Sequence, residues 1–281
     1  MFPFAGSSTR SACQSRGCAR TLRRLAPALA LLLATAPVAA QEHEHAHEDR
    51  PASHSSHLHF SHPLIAESVS PDTKVRLSYE LRELGAVEHG REHVVAWEGE
   101  YAFHPSFSIE AHLPYVAADG ETGLEEIHLA LKFANFAFAE RGWLLGYGTE
   151  FGLPADGEHG GEVEPFLNVG FKRGGIELVA FSRFGIPTGS AGDEHAAESL
   201  LRYNVAALVH ARPWIQALLE ADGSAPLAGD DRGDVGLNLS PGVKLRPLVS
   251  SDLVLGVAWS FPVSDRRDFD GRLLTSAFYH F

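Results

Sequence analysis

The stretch Lys74-Val-Arg-Leu-Ser-Tyr-Glu-Leu-Arg-Glu83 decides the fold. Val75, Leu77, Tyr79 and Leu81 share one parity, while Lys74, Arg76, Ser78, Glu80 and Arg82 share the other. Successive side chains of a strand point to opposite faces, so this segment predicts one apolar and one charged surface. Val94–Phe103 repeats the split, with Val95, Trp97, Tyr101 and Phe103 against Glu98 and Glu100. In Phe107–Tyr115, Phe107, Ile109, Leu113 and Tyr115 oppose Ser108, Glu110 and His112.

Working outward, similar segments run over Glu125–Ala134, Gly142–Leu153, Val163–Phe171, Ile176–Phe184, Leu200–Ala211, Trp214–Ala221, Asp234–Arg246, Asp252–Val263 and Gly271–Phe281. Together they predict an all-β chain: a transmembrane antiparallel up-and-down β-barrel of about twelve strands over residues 73–281. Connections after the second, sixth and eighth strands are short (His104-Pro-Ser, Lys172-Arg-Gly-Gly, Arg212-Pro). Those after the third, fifth, seventh, ninth and eleventh are longer and polar, as in Ala117-Ala-Asp-Gly-Glu-Thr. Short turns on one side and long loops on the other fit a barrel inserted from the periplasm. Aromatic residues near strand ends, such as Tyr101, Phe107, Phe133 and Trp143 on one side and Tyr115, Phe151 and Trp259 on the other, predict two girdles at headgroup level. Pro165 and Pro241 interrupt two strand readings, because proline cannot donate to a ladder.

Residues 1–40 hold five arginines and no acid and run into an alanine- and leucine-rich core ending at Ala-Pro-Val-Ala-Ala40, which predicts a cleaved signal peptide. Both cysteines, Cys13 and Cys18, lie upstream of that site, so the expected mature chain has neither disulfides nor thiolate ligands. Losing the five arginines leaves 18 basic against 36 acidic side chains, a formal charge of −18 in place of −13. Such a balance argues against nucleic acid as a partner. Residues 41–72 are expected to form a histidine-rich flexible segment in the periplasm.

The segment His57-Leu-His-Phe-Ser-His-Pro-Leu-Ile-Ala-Glu-Ser-Val-Ser-Pro-Asp-Thr-Lys-Val-Arg-Leu77, followed by Glu100-Tyr-Ala-Phe-His-Pro-Ser-Phe-Ser-Ile-Glu-Ala-His-Leu-Pro114, resembles a family of outer-membrane barrel transporters. That family is related to proteins of the meta-pathway of phenol degradation. The resemblance covers roughly residues 57–281 and implies passage of a small solute across the outer membrane; it brings no functional residues with it. The C-terminal strand, ending on Phe281, likewise resembles the signal read by the outer-membrane assembly machinery.

Two constellations carry chemistry. His43, His45, His47, His54, His57, His59 and His62 stand among Glu42, Glu44, Glu48 and Asp49, a donor set suited to weak capture of zinc, copper or nickel. Against this stands a solvated tail with no ligand. The polar strand faces place Arg76, Glu98, Glu100, Glu110, His112, Glu126, His128, Lys132, Glu150, Arg202, His210 and Arg272 in the lumen. These charges either line a wet path or knit a closed lumen through ion pairs. Acidic clusters around Asp230 and Asp265 fall in expected outer loops beside lipopolysaccharide. No Gly-x-Ser-x-Gly arrangement occurs, and the His43-Glu-His-Ala-His47 run falls in the expected flexible segment rather than on a helix, so no enzymatic activity is expected. The sequence reading is therefore a channel in outer-membrane lipid for a small molecule or ion, requiring no cofactor. A metal-handling barrel of an efflux or resistance system and a closed structural or adhesive barrel are the alternatives.

Overall fold

The computed structural model describes residues 58–84, 90–118, 121–155, 161–188, 199–228, 232–248 and 250–281. The expected leader and five of the seven tract histidines, His43, His45, His47, His54 and His57, lie outside them. Thirteen strand segments follow one another: β1 (Lys74–Glu83), β2 (Arg91–His104), β3 (Phe107–Ala118), β4 (Glu121–Leu124), β5 (Glu126–Asn135), β6 (Trp143–Pro154), β7 (Glu162–Arg173), β8 (Ile176–Pro187), β9 (Leu200–Arg212), β10 (Ile215–Pro226), β11 (Gly236–Leu245), β12 (Leu253–Pro262) and β13 (Gly271–His280). β4 and β5 both pair with β3 and are separated by Glu125 alone, so together they make one stave of twelve. Every pairing between strands is antiparallel, and Lys74 of β1 lies opposite both Glu100 of β2 and His280 of β13, which closes the sheet. Closure pairs both edges, the condition for strands in a membrane. Among the described residues, the one helical turn is the 3-10 segment Ala139–Arg141 between β5 and β6.

Alternation places the apolar parity outside. Leu77, Val95, Trp97, Ile109, Leu129, Leu131, Leu145, Leu167, Val205 and Val257 are all exposed on the outer face. Water would not tolerate so continuous an apolar girth, whereas lipid does. At the short-turn end, Tyr101, Phe103, Phe107, Phe133 and Tyr147 touch in succession, with ring centroids 4.8, 5.8, 4.9 and 5.7 Å apart. Trp143–Phe171 (4.7 Å) and Tyr279–Phe281 (5.1 Å) continue the belt.

Several boundaries differ from the sequence reading. The loop expected at 117–122 is instead a hairpin: Ala117 pairs with Thr122 and Ala118 with Glu121, so β3 and β4 carry the ladder onward. β10 runs on from Ala221 to Pro226 through Asp222-Gly-Ser, a turn-like stretch held in strand because Asp222 points inward to Arg272 at 3.2 Å. Pro165 and Pro241 each sit on one intact ladder, opposite Thr149 and Leu219, while the pairing on their other side skips them. The missing N–H is thus placed where no ladder bond is asked of it.

The largest difference concerns residues 58–72, which were expected to be flexible. They lie inside the barrel, with Phe60, Leu64 and Val69 each 0% exposed. These three side chains join Ala134, Leu144, Val179, Ala206, Leu208, Leu218, Ala258, Leu274 and Phe278 from the staves in one apolar core. Burying each such side chain contributes about 1.5–3 kcal/mol, enough to hold a segment that forms no ladder of its own. The barrel makes room with glycines: a Cβ on Gly170 would lie 2.7 Å from the Phe60 ring, and one on Gly146 would lie 2.7 Å from the Val69 carbonyl oxygen. Gly256 faces Leu64 in the same way.

Candidate functional site

The inserted segment, residues 58–73, has its backbone held by stave side chains rather than by strands. Glu220 on β10 accepts from the backbone N–H groups of Leu64 (2.6 Å), Ile65 (3.2 Å) and Ala66 (3.2 Å). Glu177 on β8 accepts from Ser61 N–H at 2.7 Å, and Asn168 on β7 donates to the Ser68 carbonyl at 3.2 Å. Lys172 donates to the His59 carbonyl at 2.9 Å, Lys244 to the His62 carbonyl and Arg76 to the Leu64 carbonyl. An extended backbone taken out of water must have its N–H and C=O groups satisfied, and here polar lumen residues do it.

All twelve residues read from sequence as lumen-facing lie on the inner face, and most are tied into ion pairs. Glu100 meets Lys74 (3.3 Å) and Lys132 (3.0 Å); Lys132 also reaches Glu110 (3.4 Å) and Glu67 of the inserted segment (2.9 Å). Arg76 lies 3.4 Å from Glu98. Farther toward the long loops, His128 contacts Glu150 (2.7 Å) and Glu126 (3.7 Å), and its ring lies 5.6 Å from that of His112. Arg183 bridges Glu150 and Glu164, and Arg202 joins Glu164. His210 reaches Glu177 (2.8 Å), and Arg272 reaches Asp222. Among the described residues these charges are paired across the inner face, as buried charges must be to persist.

At the short-turn end the inserted segment leaves a vestibule of about 590 Å³. His59, His62 and Asp72 form one side, with His104, Arg212, Trp214, Lys244, Arg246 and His280 around it. Three imidazoles converge on a single oxygen, Asp72 Oδ2: His280 Nδ1 at 2.6 Å, His62 Nε2 at 3.1 Å and His59 Nε2 at 3.4 Å. Asp72 Oδ1 accepts from Thr73 N–H at 2.8 Å, and His62 Nδ1 lies 2.9 Å from Lys74 Nζ. Burial first, and then the Lys74 charge, hold the His62 imidazole well below its ordinary range, so the ring is neutral. Burial raises the Asp72 carboxyl, but hydrogen bonds from His280, His59 and His62 outweigh it and hold the group far below the usual carboxylate range.

Sequence reasoning missed Asp72, His280 and Glu67 as contributors, and it expected a polar lumen. That expectation is corrected by the apolar core around Phe60, Leu64 and Val69. A signal was present: Leu144-Leu145, Leu218-Leu219, Leu273-Leu274 and Phe278-Tyr279 break the alternation, and an apolar doublet in a strand makes both faces apolar. Of the expected metal ligands, the structure brings His59 and His62 together. Phe281 points outward at the short-turn end, its N–H bonded to the Thr73 carbonyl at 3.0 Å.

Closed strands, an apolar girth and a polar, charge-bearing interior define a transmembrane β-barrel of the outer-membrane type. No family model and no curated relative matches the chain. Solved structures do: an outer membrane channel from Pseudomonas putida F1 aligns with a TM-score of 0.55 at 12% identity, covering 83% of this chain and 100% of that one. The NanC porin aligns with a TM-score of 0.53 at 8% identity over 74% of this chain and 98% of that one. The KdgM porin gives 0.51 at 8% identity over 74% and 99%. At these identities the likeness is one of fold.

Proposed function

We propose that the chain is an outer-membrane channel for small solutes whose periplasmic half is gated by residues 58–73. The observation that carries the reading is how the lumen is filled. The gate is a non-strand segment held by hydrogen bonds and apolar contacts with the staves, a seat that can be left without breaking any ladder. Barrels inserted from the periplasm keep short turns on that side, which places the vestibule and the gate there. The vestibule carries exposed Arg212 and Arg246 beside five histidines, so the periplasmic mouth favours solutes bearing negative charge. The fold shared with porins and with a Pseudomonas channel supports the reading, as does the resemblance of His57–Leu77 and Glu100–Pro114 to barrel transporters. Transport of this kind needs no cofactor and no catalytic residue. Outer-membrane lipid, lipopolysaccharide at the long loops and the assembly machinery acting on Phe281 are the partners it implies.

The test is electrical. Full-length protein inserted in planar bilayers should give step currents with long closed times. A Gly170→Val variant, whose side chain occupies the Phe60 seat, should show more open time at the same voltage. Absence of current above background from both proteins, each shown to be folded by heat-modifiable gel mobility, would replace the channel with the closed structural barrel, for which the buried ion-pair network already provides a physical basis.

A further inference from the structure

Outside the lumen network, one cluster has ligand chemistry that the gate does not use. Among the described residues, three groups of acidic or histidine side chains lie close enough to hold an ion: His128–Glu150–Glu164, Glu67–Glu98–Glu110 and His59–His62–Asp72. The first is already neutralised by Arg183 and Arg202, and the second by Lys74 and Lys132. The third differs in kind, because its donors are imidazoles facing one carboxylate and, among the described residues, no arginine or lysine contacts that carboxylate.

We infer that His59 Nε2, His62 Nε2 and Asp72 Oδ2 form a binding site for a divalent transition metal such as zinc, with solvent completing the shell. The nitrogen-to-oxygen separations of 3.1 and 3.4 Å are those of neighbouring ligands around one ion with bonds of about 2.0–2.2 Å. Two imidazoles with one carboxylate suit zinc, copper or nickel and disfavour magnesium and calcium, which prefer all-oxygen shells. His59 is half-exposed on the vestibule, which provides an entry path from the periplasmic mouth. All three ligands come from the inserted segment, and His280 Nδ1 of β13, 2.6 Å from Asp72 Oδ2, orients the carboxylate from the barrel wall.

The proton balance is definite. Lys74 Nζ can only donate, so His62 Nδ1 accepts from it and the ring proton stands on Nε2, facing Asp72 Oδ2. Coordination at Nε2 moves that proton to Nδ1, and Lys74 turns away and keeps Glu98 (2.6 Å) and Glu100 (3.3 Å). The donor proton on the His59 nitrogen that faces Asp72 moves to the opposite ring nitrogen, and His280 keeps its hydrogen bond to Asp72. No redox step is involved. The site stands whether or not the barrel conducts.

Because the upstream tract is itself rich in histidine, the test must silence it. In the full chain, His43, His45, His47, His54 and His57 are replaced by Ser, and the refolded protein is titrated with zinc chloride against a chelating indicator. One equivalent should remain, and adding Asp72→Asn should weaken it about tenfold or more. X-ray absorption on the zinc-loaded protein without Asp72→Asn should show at least two imidazoles in the shell, a readout that does not depend on any substituted ligand folding correctly. Loss of all stoichiometric zinc on silencing the tract, unchanged affinity in a folded Asp72→Asn protein, or an all-oxygen shell would each overturn the site. Single-channel currents recorded without metal report on the channel separately, so failure of one reading leaves the other measurable.

Discussion

Glu220 shows at the scale of one residue what the fold asks of its interior. It is 0% exposed, yet it carries three backbone N–H groups of the inserted segment and the Asn204 amide at 3.2 Å. Hydrogen bonds to an ionised acceptor contribute about 1.5–3 kcal/mol each where burial excludes water. Glu220→Gln keeps the shape but supplies one acceptor oxygen in place of two, so the amides of Leu64, Ile65 and Ala66 should exchange with deuterium at least about tenfold faster while the strand amides of β10 stay protected. Equal protection in the two proteins would mean that the segment is held by packing alone. Glu220 was legible as a polar residue on an inward parity. Its partner was not, because backbone amides of a segment 154–156 residues earlier leave no trace in strand periodicity.

At the scale of the element, residues 58–73 behave as an internal plug whose seat is built from missing side chains. Gly146, Gly170 and Gly256 all sit where a Cβ would collide with it. Leu64→Ala should destabilise the seat by about 2–5 kcal/mol, the range for emptying a packed core position. The measurement is thermal or urea-induced release of the segment, followed by limited proteolysis after Ser61 while the barrel stays heat-modifiable; a protease-resistant variant would argue that Leu64 contributes little. The histidine-rich composition of 41–62 favours reading the whole stretch as solvated. Phe60, Leu64, Ile65 and Val69 oppose that reading only once a lumen of matching width is available, which is a tertiary fact. The strands themselves were legible from alternation and turn residues, and the errors at Ala117–Leu124 and Asp222–Pro226 arose where turn-type residues serve a ladder.

At the scale of the whole molecule, the account rests on an outward apolar girth and on a lumen occupied by the protein's own chain. The girth was readable from parity alone, since a closed sheet needs no information beyond which face is apolar. Leu129, exposed on the outer face of β5, tests it: Leu129→Arg should cost about 2–4 kcal/mol in urea unfolding from lipid vesicles, and a substitution with no cost would place that face in water. The occupancy of the lumen has a still more direct test. Ser68 is 0% exposed at the centre of the inserted segment. With Cys13 and Cys18 replaced by Ser, a Ser68→Cys protein in native outer membranes should react with a water-soluble maleimide far more slowly than after it is denatured. Rapid labelling of that thiol in a barrel that still migrates as folded would contradict the account.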